Sequence, residues 1–271
     1  MGKTAAKVEE HTQPPMAPSV DPAEIAKFAD LAEAWWDPYG EFRPLHNLNP
    51  TRIAFIRDRV AARLGRDPLG SRPLEGLDLL DVGCGGGLLA EPMARLGARV
   101  TGLDAAPRNI AVARAHAAQS GLAIDYRCDT AEALATSGAR FDVVLAMEVV
   151  EHVADPKAFL GTCCELLKPE GTMIVATLNR TAKAFALAIV GAEYLLRWVP
   201  RGTHDWRKFV RPSEVASALR PHGVDVLETA GLRYDPFSDR WTLSRDLDVN
   251  YMVVAARQRL GKAKGRQARR G

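Results

Sequence analysis

Cysteine is scarce and unpatterned in this chain. Its 271 residues include Cys84, Cys128, Cys163 and Cys164, with no Cys-x-x-Cys pair and no regular framework. That argues against a disulfide scaffold or a thiolate metal site, and the four read as reduced thiols of a cytosolic protein. Long apolar runs are also missing. No stretch reaches the ~20 residues that span a bilayer, and the amino end, MGKTAAKVEEHTQPPMAPSV, lacks the apolar core of a secretion signal. Acids are absent from the last stretch, where Arg257, Arg259, Lys262, Lys264, Arg266, Arg269 and Arg270 stand alone. These cations outweigh the formal net charge of +3, so the rest of the chain is mildly acidic and offers no face for nucleic acid.

What remains suits one generous α/β domain, whose 47% hydrophobic residues can bury a core without staples. Residues 1–20, with Pro14, Pro15 and Pro18 among small polar residues, read as a disordered leader. Residues 21–256 read as the domain. Residues 257–271 read as a basic disordered tail that either solubilises the end or touches anionic lipid headgroups.

Inside the domain, Ile25, Phe28 and Leu31 are spaced for a helix, and Ile53, Phe55, Ile56 and Val60 for a second one. The stretch WWDPYGEFRPLHNLNP between them predicts a break, with Trp35 and Trp36 read as helix-packing aromatics. Together the two form an amino-terminal helical cover. Apolar β runs then alternate with helical segments: 77–82, 99–103, 124–128, 141–146 and 173–177. Such strands indicate a parallel sheet covered on both faces. Asp155 with Pro156 starts a helix that Lys168-Pro169-Glu170-Gly171 stops. Runs at 224–230 and 249–256 complete about seven strands of a Rossmann-like, doubly wound sheet, the last two pairing as an antiparallel hairpin.

The segment LLDVGCGGGLL sets Gly83, Gly85, Gly86 and Gly87 between a buried strand and a helix, where the backbone can approach a ligand closely. Asp104 follows Gly83 by about 20 residues and ends the second strand, a place from which a carboxylate takes both ribose hydroxyls of an adenosine. A nicotinamide-dependent oxidoreductase carries a similar pair. However, GxGGG departs from GxGxxG, and Asp81 adds an acid beside the loop. That acid suits a cationic sulfonium amino acid, S-adenosylmethionine, better than a pyrophosphate.

FDVVLAMEVVEHVADP runs from a buried strand into polar residues at the ligand edge of the sheet. Met147 stands where its thioether can lie against adenine. If the segment is helical, Glu148, Glu151 and His152 share a face. They then either hold a divalent ion, leave His152 as a base for a phenol, or form a solvated helix face. After the fifth strand, TAKAFALAIVGAEYLLRWVPRGTHDWRKF gathers Phe185, Leu187, Ile189, Val190, Leu195, Leu196 and Trp198 among Lys183, Arg197, Arg201, Arg207 and Lys208. This helical insertion reads as an interfacial segment or a lid over the site, with Glu193 arguing against a spanning helix. His204 and Asp205 read as loop-ordering residues or substrate contacts.

The blocks WWDPYGEFRPLHNLNPTR, LLDVGCGGGLLAEPMARLGARVTGLD, MEVVEHVADP, LLKPEGTMIVATLNRT, IVGAEYLLRWVPRGTHDWRKFVRP and DVNYM occur in this order. In them the chain resembles the ubiquinone biosynthesis O-methyltransferases across about residues 24–256, and WWDP, GTHDWRKF and DVNYM are the specific ones. The resemblance implies a class I methyltransferase sheet and S-adenosylmethionine held by Arg52, Gly83, Asp104 and Met147. It implies a magnesium or similar ion at Glu148, Glu151 and His152, with His152 as base if no ion binds. It further implies polyprenylated catechol and demethylubiquinol substrates, cytoplasmic placement with peripheral contact to the anionic inner membrane face, and contact with other ubiquinone biosynthesis enzymes. The leader, the LGRDPLGSRPLEG stretch and the basic tail depart from the family pattern. A small-molecule N- or C-methyltransferase and a non-catalytic cofactor-binding scaffold are the alternatives.

Overall fold

A computed structural model describes residues 21–30, 34–187 and 205–257. The expected leader, Leu31, His204, the tail beyond Arg257 and the insertion from Ile189 to Arg201 lie outside these residues.

The chain begins with α1 (Pro22–Asp30), whose first turn Asp21 caps by accepting from the Ala23 N–H at 3.0 Å. The second helix, α2 (Arg43–Arg63), starts well inside the expected break and carries Pro50 in its interior. An interior proline costs a helix about 3 kcal/mol. Here burial of Leu48, Asn49, Arg52, Phe55 and Ile56 on one side of the helix overrides that local penalty.

Then come β1 (Asp78–Val82), α3 (Ala90–Arg95), β2 (Arg99–Asp104), α4 (Pro107–Gln119), β3 (Asp125–Cys128), α5 (Ala131–Thr136), β4 (Phe141–Met147), α6 (Pro156–Glu165) and β5 (Leu167–Leu178). After a short α7 (Ala182–Ala184) and then α8 (Pro212–Leu219), the chain closes with β6 (Val224–Asp235), β7 (Arg240–Ser244) and β8 (Asn250–Arg257). Asp155 caps α6 as expected, accepting from the N–H groups of Lys157 and Ala158. The Lys168–Gly171 stretch, however, lies inside β5, where the register against β4 shifts and Glu170 takes a positive φ of 64°. Asp205 orders its own loop by accepting from the Arg207 N–H.

The strands form one sheet in the order β3-β2-β1-β4-β5-β8-β6-β7, parallel from β3 to β5 and antiparallel beyond. The sheet has eight strands rather than seven. The extra one is β7, which pairs antiparallel with β6 and forms the hairpin, while β6 and β8 pair without being consecutive. Its residues, Arg-Trp-Thr-Leu-Ser, are mostly exposed and lack the apolar run that marked the other strands.

Side chains of β4 alternate between the two faces. Val143, Leu145 and Met147 join a core with α2, α3 and α4, and Val144 and Ala146 join another with α5, α6 and α8. Both faces are therefore dry, which is why the strands read as continuous apolar runs. Arg257 belongs to β8 rather than to a loose tail, and it donates to the carbonyls of Cys164 and His222.

Candidate active site

The carboxyl ends of β1, β2 and β4, with α1 and α2 above them, enclose a cavity of about 270 Å³. This is the edge where an open α/β sheet leaves room for ligands, because the helices that follow diverge from the strands.

β1 ends at Val82 and the chain turns sharply at Gly83, whose N–H donates to the Leu103 carbonyl at 2.7 Å. Gly83 has φ +72°, and a Cβ there would fall 2.7 Å from Val149, so only glycine fits. Asp104, at the end of β2, lines the same cavity. Its carboxylate accepts from the N–H groups of Gly85 (2.9 Å) and Ala106 (2.8 Å) and from the side-chain amide of Asn109 (3.2 Å). Burial pushes its pKa up despite those donors. Asp81 is almost fully buried beside it, and desolvation, helped by the negative charge of Asp104, raises its pKa to about 7.

Arg52 reaches the cavity from α2. It is 3% exposed, pairs with Glu148 through Nη2 at 2.5 Å, and its Nε has no hydrogen-bond partner in the structure. A buried donor in that state is satisfied when an anionic ligand arrives, and the carboxylate of an amino acid is such a ligand. Met147 closes β4 and lines the cavity. Thus Arg52, Gly83, Asp104 and Met147, together with Asp81, surround one space.

The EVVEH segment is not an α-helix. Glu148 stands at φ +57°, outside the helical region, and only Val150–His152 forms a single 3-10 turn. The face-sharing expected from helical spacing is therefore lost, and each side chain finds its own partner. Glu148 pairs with Arg52. Glu151 is buried and accepts from the Thr177 hydroxyl at 2.7 Å, its other oxygen lacking a hydrogen-bond partner. Burial, with Glu148 adding negative charge nearby, pushes Glu151 up to about 7. His152 faces the cavity, with Nδ1 3.1 Å from the Glu24 carboxylate of α1. Among the described residues no group of three acidic, His or Cys side chains is arranged to hold a metal ion.

Glu24 and Asn109 are part of this site without carrying a motif. Glu24 also accepts from Lys208, which bonds Asp21 as well, and so ties α1 to the segment after the insertion. Trp35 is a cavity wall as well as a packing residue: it stacks on Phe42 with centroids 3.9 Å apart and clusters with Leu45 of α2 and Val112 of α4. The WWDP block was the available signal for it, though nothing local says where the ring lands.

Residues 80–175 match the family described as a methyltransferase domain. A ubiquinone biosynthesis O-methyltransferase from Parvibaculum lavamentivorans is 58% identical over 241 residues, covering 89% of this chain and 95% of its own. One from a Chelativorans species is 59% identical over 88% of this chain and 94% of its own. Among solved structures, a magnesium protoporphyrin IX methyltransferase from Synechocystis with bound S-adenosylhomocysteine matches with a TM-score of 0.57. It is 18% identical, over 87% of this chain and 100% of its own, so it speaks for the fold alone. The chain is thus a class I methyltransferase in fold and belongs to the ubiquinone biosynthesis O-methyltransferase family.

Proposed function

We propose that the enzyme methylates a phenolic hydroxyl of polyprenylated catechol and demethylubiquinol intermediates. The observation that carries this is one cavity lined by two chemically distinct sets of side chains. Arg52, Asp81, Gly83, Asp104 and Met147 line it together with His152 and the apolar side chains of Ile25, Pro44 and Leu45 from α1 and α2, and we read the first group as the cofactor end and the second as the acceptor end.

At the cofactor end, Arg52 takes the amino-acid carboxylate, Asp104 the ribose hydroxyls, Asp81 the positive charge and Met147 the adenine face. Bound there, S-adenosylmethionine supplies an electrophilic methyl group and leaves as S-adenosylhomocysteine. At the other end the apolar wall receives the ring and its prenyl chain. Glu24 on Nδ1 favours the tautomer whose basic atom is Nε2, which takes the phenolic proton as the oxygen forms its new bond to carbon. The rest of the catalysis is alignment of oxygen, methyl carbon and sulfur.

A magnesium ion at Glu148, Glu151 and His152 remains the finer family expectation. As they stand, those side chains are engaged with Arg52, Thr177 and Glu24 and do not fit such an ion, so no step runs through it. Peripheral contact with an anionic membrane surface, where the prenylated substrate resides, completes the proposal, as does contact with other enzymes of ubiquinone synthesis. No described helix is long and apolar enough to cross a membrane.

Methyl transfer from labelled S-adenosylmethionine to a short-chain prenyl catechol tests the reading, with EDTA and then added magnesium. Product that persists in EDTA supports His152 as the base. Product lost in EDTA and restored by magnesium restores the metal site, and no product under any condition overturns the acceptor assignment.

A further inference from the structure

Both tryptophans of the WWDP block contact the glycine loop. Trp36 donates from Nε1 to the Gly86 carbonyl at 2.9 Å and stacks on His116 of α4 with ring centroids 3.4 Å apart. His116 in turn meets Glu91 of α3 at 2.6 Å. Trp36 is thereby an anchor that fixes the segment to the loop and its two flanking helices. Trp35 then lies flat against the loop, so close that a Cβ on Gly85 would fall 2.5 Å from its ring. Its indole N–H donates to the carbonyl oxygen of the Asn109 side chain at 3.0 Å. The amide nitrogen of Asn109 donates to Asp104.

This chain of donors has a direction. Asn109 is 1% exposed, so its amide has no water to exchange with and must satisfy both ends locally. An indole N–H can only donate, which forces the amide oxygen towards Trp35 and its NH2 towards Asp104. One oxygen of Asp104 then takes Ala106 and Asn109 and the other takes Gly85, which fixes the plane of the carboxylate before any ligand arrives.

We propose that Trp35 is a positioning residue for the cofactor's ribose, acting through Asn109 to orient the Asp104 carboxylate. The proposal rests on the reading that Asp104 holds the ribose hydroxyls, and deepens it. Trp35 in this role accounts for a donor, a ring and a glycine contact that packing alone leaves unconnected.

The test is selectivity for the ribose hydroxyls, which a merely structural role would not move. Calorimetric titration compares S-adenosylhomocysteine with its 2′,3′-dideoxy analogue on wild type, Trp35→Phe and Asn109→Ala. Wild type is expected to prefer the hydroxylated ligand by about 100-fold, since hydrogen bonds to a buried carboxylate are strong ones. Trp35→Phe keeps the ring but loses the donor, and its preference should drop to about 10-fold while affinity for the dideoxy analogue changes by less than about twofold. KM for S-adenosylmethionine should rise more than kcat falls. The double variant should lose no more selectivity than Asn109→Ala alone, because both changes break one relay. Trp35→His, which restores a ring N–H, should recover part of the preference, and Asn109→Ala, which breaks the same relay, carries the test if Trp35→Phe does not fold. Equal weakening of both ligands, or undiminished selectivity in the variant, overturns the proposal alone. A wild type indifferent to the hydroxyls overturns the Asp104 assignment and the proposal with it.

Discussion

Asp81 lines the cavity in an environment that ties it to pH. Its carboxyl is buried next to Asp104, and the desolvation that raises it to about 7 favours the neutral form in the ligand-free fold. An acid raised on folding stabilises the fold fully below its unfolded pKa, and that contribution is lost as pH climbs through the folded value. The ligand-free protein is therefore expected to lose stability from about pH 4 to about pH 7, to be followed by chemical denaturation across that range. A cationic ligand needs the ionised form. Affinity for S-adenosylmethionine should rise with pH through about 7, and Asp81→Asn should flatten that dependence in calorimetry. A steep profile surviving in the variant would assign the titration elsewhere. Glycine at Gly83 and acid at Asp104 were legible at this scale, since a strand-end loop and a strand-end carboxylate are set by nearby sequence. The pairing of Glu148 with Arg52 was not. It joins residues far apart in the chain, and a left-handed backbone at Glu148 has no signature in the side-chain pattern.

Among the elements, α1 joins α2 in turning an open sheet edge into a cavity. Lys208 bonds Asp21 and Glu24, and Glu24 meets His152, so the helix is fastened over the site at several points. Lys208→Ala should leave the sheet intact and loosen this cover. Hydrogen exchange across residues 21–30 is expected to rise, and S-adenosylhomocysteine to dissociate about threefold to tenfold faster, corresponding to about 1 kcal/mol of lost charge-assisted bonding. Unchanged exchange would mean that packing of α1, not Lys208, holds it down. The helical cover itself was readable from apolar spacing, but the start of α2 was not, because Pro44 and Pro50 argue locally for a break. Only burial of the helix face against the sheet decides otherwise.

For the whole molecule, the question is how a chain without a described spanning helix would meet the prenylated substrate proposed for it. Phe185 and Leu187 are exposed where the insertion leaves β5, and the sequence after Arg257 carries six cations and no acid. The protein should co-sediment with vesicles of anionic lipid and release as salt rises, while neutral vesicles retain little. Equal retention on both would place the driving force in apolar insertion rather than charge, and retention on neither would remove the membrane contact. The sequence by itself determined the parallel strands, the glycine loop and its acid, because continuous apolar runs and glycines set between a strand and a helix are local signals. Tertiary structure alone decided that β7 adds an eighth strand, that EVVEH forms a bent turn with divided partners, and that Trp35 meets Asn109. Those outcomes depend on contacts between distant segments, whose energies appear only once the sheet has brought them together.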